Sequence, residues 1–121
     1  MPEHITENMN QDIAAFLADA SDRYACTFTV VLINGKTIGK NTWAIVPTEK
    51  YIEFSNTGPL AFREIQWVVI HPVTEKKIGL RVPPKITDNT YAILGDLREN
   101  HLPYSLTEHN IKVAFLCDSQ G

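Results

Sequence analysis

The sequence predicts an α+β fold: one N-terminal amphipathic helix packed on a curved, mainly antiparallel sheet of five to six strands bending toward a half-barrel. Three observations predict it. A dense run of strand-like sequence fills residues 26–82, punctuated by Asn34-Gly35, Thr57-Gly58-Pro59 and Pro72. A single apolar stripe at helical spacing precedes that run, and an apolar segment of strand composition, residues 111–117, follows it.

The helix is expected over residues 9–23, with residues 1–7 flexible ahead of it. Met9, Ile13, Phe16, Leu17, Ala20 and Tyr24 recur along one face, while Asp12, Asp19 and Asp22 fall on the other. Asn8 is a suitable N-cap, and Gln11, three residues on, can reach back to it. A helix with one stripe has one task, the covering of one face of a sheet.

The sheet is expected over residues 26–117. Residues 26–33 (CTFTVVLI) run into Asn34-Gly35, the strongest short-range signal for a two-residue hairpin turn. Gly39-Lys40-Asn41 blurs the return, so either a bulge interrupts it or a long loop, 34–41, leads to residues 42–46 as the partner. Pro47 to Lys50 turns into residues 51–54, whose alternation gives one wet face. Residues 61–71 form the longest expected strand; its second half is apolar on both faces, which suits a central position. Pro72 to Lys76 is expected to return that strand into residues 78–82, ended by Pro83-Pro84. Residues 90–94 suit either a strand or the start of a helix reaching Asn100, and residues 111–117 close the sheet.

At 121 residues the chain is expected to form a single domain, long enough to bury a core without disulfides or metal. No apolar run approaches the length of a membrane-spanning helix, and the first residues lack a basic start followed by an apolar stretch. A cytoplasmic location is expected. The net charge of −3 conceals a pattern: residues 1–25 carry −4, residues 26–85 carry +4 and residues 86–121 carry −3. The basic middle reads as a charged sheet face neutralised by the helix and tail, or as a surface turned toward a partner.

Few residues point to chemistry. Gly35-Lys36-Thr37 follows an apolar strand, but a phosphate loop needs a glycine at position 30, which is Val, and a helix afterwards; a hairpin turn is expected instead. His101, Glu108 and His109 share a polar loop, yet a seven-residue gap and the lack of a close ligand pair make them a poor zinc set. Cys26 and Cys117 each share a strand face with a phenylalanine, Phe28 and Phe115. They would be neighbouring, inert thiols if the first and last strands paired antiparallel. Arg63, Ile65, Trp67, Val69 and His71 alternate along the long strand, so Arg63, Trp67 and His71 would share one face as an aromatic floor with a polar group at each end. Leu102, Tyr104 and Leu106 lie in a loop that either tucks into the core edge or anchors a partner.

These residues favour a small non-enzymatic protein-interaction domain, of the size and acidity of inhibitor or immunity proteins. It would bind a protein partner through a sheet edge or through Leu102 and Tyr104. The alternative is a small-molecule-binding domain or enzyme using a sheet-face pocket around Arg63, Trp67 and His71. Self-association as a two-fold homodimer through like strand edges is expected. No cofactor, metal, nucleic acid or membrane is called for: the sequence pI is about 5.7, and the aromatic residues form no recognisable stacking motif.

Overall fold

The computed structural model describes residues 2–24 and 26–115. The fold is α+β and its strands pair antiparallel, in the order α1 (Pro2–Tyr24), β1 (Thr27–Leu32), β2 (Thr37–Asn41), β3 (Ala44–Thr48), β4 (Tyr51–Phe54), β5 (Gly58–Ala61), a 3-10 turn (Phe62–Glu64), β6 (Ile65–His71), β7 (Val73–Lys76), β8 (Lys85–Asp88), α2 (Thr90–Glu99), β9 (Ser105–Thr107) and β10 (Asn110–Ala114). The strands form a five-stranded sheet ordered β2-β1-β6-β10-β9, a three-stranded sheet β3-β4-β5, and the separate ladder β7-β8.

Helix α1 starts at Pro2 rather than near Met9, so Asn8 lies within the helix instead of capping it. Proline suits a first helical position, where its missing N–H has no intrahelical partner to lose. The stripe behaves as the periodicity requires. Ile13, Phe16, Leu17 and Ala20 are buried, joined by Ala14, while Asp12, Asp19 and Asp22 face solvent. Helix α2 resolves the ambiguity at residues 90–100. Asp88 accepts a hydrogen bond from the Thr90 N–H at 2.9 Å, and Ile93, Leu94 and Leu97 are buried. The helix ends with His101 in the left-handed region (φ +56°); the Leu102 N–H returns to the Leu97 carbonyl and the His101 N–H to that of Arg98. That is a Schellman closure, and it pins Leu102 against the core beside Leu97.

Central β6 is flanked by β1 and β10, both antiparallel to it. The core face of the sheet carries Phe28, Val30, Val68, Ile70, Ile111 and Val113, all fully buried. They share one apolar cluster with α1, α2, and Ile52 and Phe54 of the small sheet; the Phe28 and Phe54 rings meet edge to face at 5.7 Å. At roughly 25 cal/mol per Å² of apolar surface removed from water, this cluster is the main favourable term in folding.

Several expectations need correction. The Asn34-Gly35 turn is a three-residue loop, residues 33–35, closed by the Leu32 N–H to the Lys36 carbonyl. Of the two alternatives for the return, the bulge is the one found: β2 carries it at Gly39-Lys40, where Lys40 takes φ +58°, and residues 44–48 pair with β4. The expected strand 61–71 is the end of β5, a 3-10 turn and β6. Residues 78–82 form no strand: they belong to an exposed loop, and β7 pairs with β8. The main sheet is not closed into a barrel: β2 and β9 form its two edges and do not pair with each other. Cys117 lies outside the described residues. Cys26 directly precedes β1, beside the His71 end of β6, whereas the Phe115 N–H bonds the Gln66 carbonyl at the other end.

Asparagines join the two larger sheets. Asn41 is fully buried; its side-chain amide donates to the carbonyls of Phe28 (3.1 Å) and Ile38 (3.0 Å), and its Oδ1 accepts the Asn56 N–H at 2.8 Å. Asn56 in turn donates to the Gly39 and Lys40 carbonyls exposed by the bulge. Groups that a bulge would leave unpaired are thereby satisfied from the β4–β5 turn.

Candidate interaction surfaces

Three surfaces can be built from these elements. The first is the sheet face turned away from the helices. Regular alternation puts Thr27, Thr29 and Val31 of β1, Trp67, Val69 and His71 of β6, and Asn110 and Lys112 of β10 on it, all half-buried. His71 bridges three strands: Nε2 is 2.8 Å from Thr29 Oγ1 and Nδ1 is 3.1 Å from Asn110 Oδ1. The amide oxygen accepts, so Nδ1 carries the proton there, and in the neutral ring Nε2 accepts from the Thr29 hydroxyl. Both ring nitrogens are thus occupied. Lys112 Nζ sits 3.8 Å from the Trp67 ring centroid, covering the aromatic floor with a cation.

Arg63 is not part of this face. It lies in the 3-10 turn, exposed. Ile65 is also displaced: Leu32 pairs with Ile65 but Val31 with Trp67, so Gln66 is an extra residue that turns Ile65 into the core. Trp67 and His71 share a face as expected, and the bulge separates them from Arg63. Of the loop candidates, Leu102 is buried, and Tyr104 packs half-buried against the core with its hydroxyl accepting from Arg98 Nε at 3.1 Å. Leu106 is exposed on β9.

The second surface is an open depression of about 390 Å³ between α1 and α2. Asp12, Asp19, Asp96 and Glu99 line it over Ala15 and Phe16. Arg23 reaches Asp19 at 3.0 Å and Asp96 at 3.2 Å, and Asp96 also accepts the Tyr24 hydroxyl. The hydrogen bond to Asp19 raises the Arg23 pKa, and that to Asp96 raises the Tyr24 pKa. Arg23 and Tyr24 thus tie the two helices together while the rim stays acidic.

The third surface is the β7–β8 arm, which sequence reasoning missed as a site because it read residues 78–82 as sheet. Its base is fixed: the Asn89 N–H bonds the Pro72 carbonyl, and Asn89 Nδ2 reaches the Tyr24 carbonyl. Beyond the base the apolar residues are bare, with Leu80 94% exposed, Ile86 64%, Ile78 55% and Val82 52%. Four of the eight basic residues in the basic middle of the chain, Lys76, Lys77, Arg81 and Lys85, fall on this segment, with no acid among residues 76–87. The rest lie at Lys36, Lys40, Lys50 and Arg63, in turns, at the bulge and in the 3-10 turn. The basic middle is therefore an arm and a set of turns, not one sheet face.

Among the described residues no group of three His, Cys, Asp or Glu side chains could hold a metal ion. His101 serves the α2 closure, and Glu108 and His109 form the β9–β10 turn. Burial pushes the Cys26 thiol up to about 11, which keeps it protonated at neutral pH. Among the described residues no helix is long and apolar enough to cross a membrane.

Neither a curated protein nor a solved structure matches the chain significantly. A family model described as a family of unknown function, DUF6678, matches residues 47–115, a span that runs from β3 through β10 and contains the whole arm. That span is more than half of the chain, which therefore belongs to DUF6678, a family of unknown function.

Proposed function

We propose that this chain is a small protein-interaction domain that binds a partner through the β7–β8 arm. The observation that carries this reading is the exposure of Leu80, Ile78, Val82 and Ile86 together on one basic projection. Apolar side chains scattered singly over a surface are ordinary, but a cluster rimmed by charge marks an interaction site. The favoured partner surface is acidic with an apolar centre, since the exposed Lys77, Arg81 and Lys85 are interspersed with the exposed apolar residues along this segment. Tyr104, tied to Arg98, contributes to the fold more than to a contact. Small-molecule chemistry on the open sheet face has weaker support, because His71 has both nitrogens engaged and Trp67 lies under Lys112.

Affinity capture from native cell extract, with the wild-type chain and Leu80→Asp as paired baits, tests the proposal. Proteins retained by the wild type should be lost with Leu80→Asp while both baits give the same circular dichroism. An unchanged set of captured proteins would remove the arm from the binding surface.

A further inference from the structure

We infer that the basic, apolar tip of the β7–β8 arm docks in the acidic depression between α1 and α2 of a second copy of this chain. The inference rests on the arm being a protein-binding element and names its partner. Two surfaces of the same molecule are complementary. The tip presents Lys77, Arg81 and Lys85 around Ile78, Leu80 and Val82. The depression presents four carboxylates, Asp12, Asp19, Asp96 and Glu99, around Ala15 and Phe16 against one cation, Arg23, which pairs with Asp19 and Asp96 and leaves the lining net negative. No ion pair among the described residues involves Lys77, Arg81 or Lys85. Leu80, almost wholly exposed, is not covered by its own chain, so the tip does not occupy its own depression.

A second copy fits better than a foreign protein for a reason of symmetry. Every copy carries both the tip and the depression, so a two-fold dimer makes the same contact twice and closes without leaving either surface free. The base of the arm helps. Asn89 joins it to the end of α1, where Arg23 and Tyr24 reach Asp96 at one end of the depression. The base of the arm and one end of the depression thus meet at the same helix junction, an arrangement suited to reciprocal exchange of arms between two molecules.

The test is molar mass by sedimentation across protein concentrations, using the full chain with paired charge reversals. Lys77→Glu with Arg81→Glu reverses the tip; Asp12→Lys with Glu99→Lys reverses the depression. These positions are exposed and leave the Arg23 and Tyr24 links to Asp96 untouched. The wild type should show a dimer that dissociates as salt is raised, because the contact is partly charge-borne. Each reversed variant alone should run at monomer mass where the wild type is dimeric. An equimolar mixture of the two should recover the dimer, because each tip then meets a depression of opposite sign.

A wild type that stays monomeric at every concentration, a dimer indifferent to both reversals, or a mixture that stays monomeric would overturn the inference. Flotation of a monomeric wild type with phosphatidylserine vesicles, lost on reversing the tip, would assign the arm to an anionic lipid surface instead. A monomeric wild type whose captured proteins are still lost with Leu80→Asp overturns self-docking alone. If capture is also unchanged, the protein-binding reading falls with it.

Discussion

Strand β6 and the loop of residues 77–84 are built from similar side chains and meet opposite ends. Ile65, Val68 and Ile70 are fully buried, whereas Ile78, Leu80 and Val82 are bare. Hydrophobicity does not separate them; partners do. Both edges of β6 are hydrogen-bonded, to β1 and β10, and one of its faces meets the shared core. The loop has neither, and Pro83-Pro84 removes two consecutive N–H donors that a ladder would need. A β-branched or apolar residue has a capacity for burial, which is realised only where neighbouring strands satisfy the backbone and another layer covers the face.

Three substitutions sharpen that contrast. Phe28→Ala, in the sheet core against Phe54, should cost about 3–5 kcal/mol, since it deletes a fully buried ring and leaves a cavity. Chemical denaturation checks this, and a loss under about 1 kcal/mol would mean the two larger sheets do not share a core. Asn41→Ala, at the junction of those sheets, should cost about 1–3 kcal/mol by leaving the Phe28 and Ile38 carbonyls and the Asn56 N–H without their partner. Amide exchange at Asn56 should accelerate in the same variant. Leu80→Asp, at the arm tip, should leave the stability of the monomer within about 0.5 kcal/mol of the parent. A larger loss in dilute solution would show that the tip is packed against its own molecule.

The parts of the fold legible in sequence are those set by local period. The α1 stripe, the alternation of β1 and the doubly apolar core of β6 each follow from side chains a few residues apart. The misread parts turn on contacts between residues far apart in the chain. Gln66 inserts one residue against β1 and redirects Ile65, which no pattern within β6 reveals. Asn41 looks like an ordinary turn residue until Phe28 and Asn56 arrive on either side of it. Of the candidate site residues, Trp67 and His71 share a face by simple alternation, as the sequence suggests. Leu102 is ambiguous in the sequence because its role depends on a left-handed His101 ending a helix that the local pattern leaves open. The arm is not legible in the sequence because side-chain pattern reflects how well residues suit a strand, not whether a partner strand is present.

The strand order has a consequence for how the chain is made. β10, the last described strand, is not an edge: it sits between β6 and β9, and it pairs with a strand some forty residues earlier. A chain emerging in order from a ribosome can form the β1–β2 hairpin and add β6, but one edge of β6 then stays open while the arm, α2 and β9 are synthesised. Closing that edge waits for Asn110–Ala114 and carries the entropy of the whole intervening excursion. The nascent sheet therefore exposes its most apolar strand until almost the end of the described chain, which makes this interval of synthesis the one most vulnerable to misassembly.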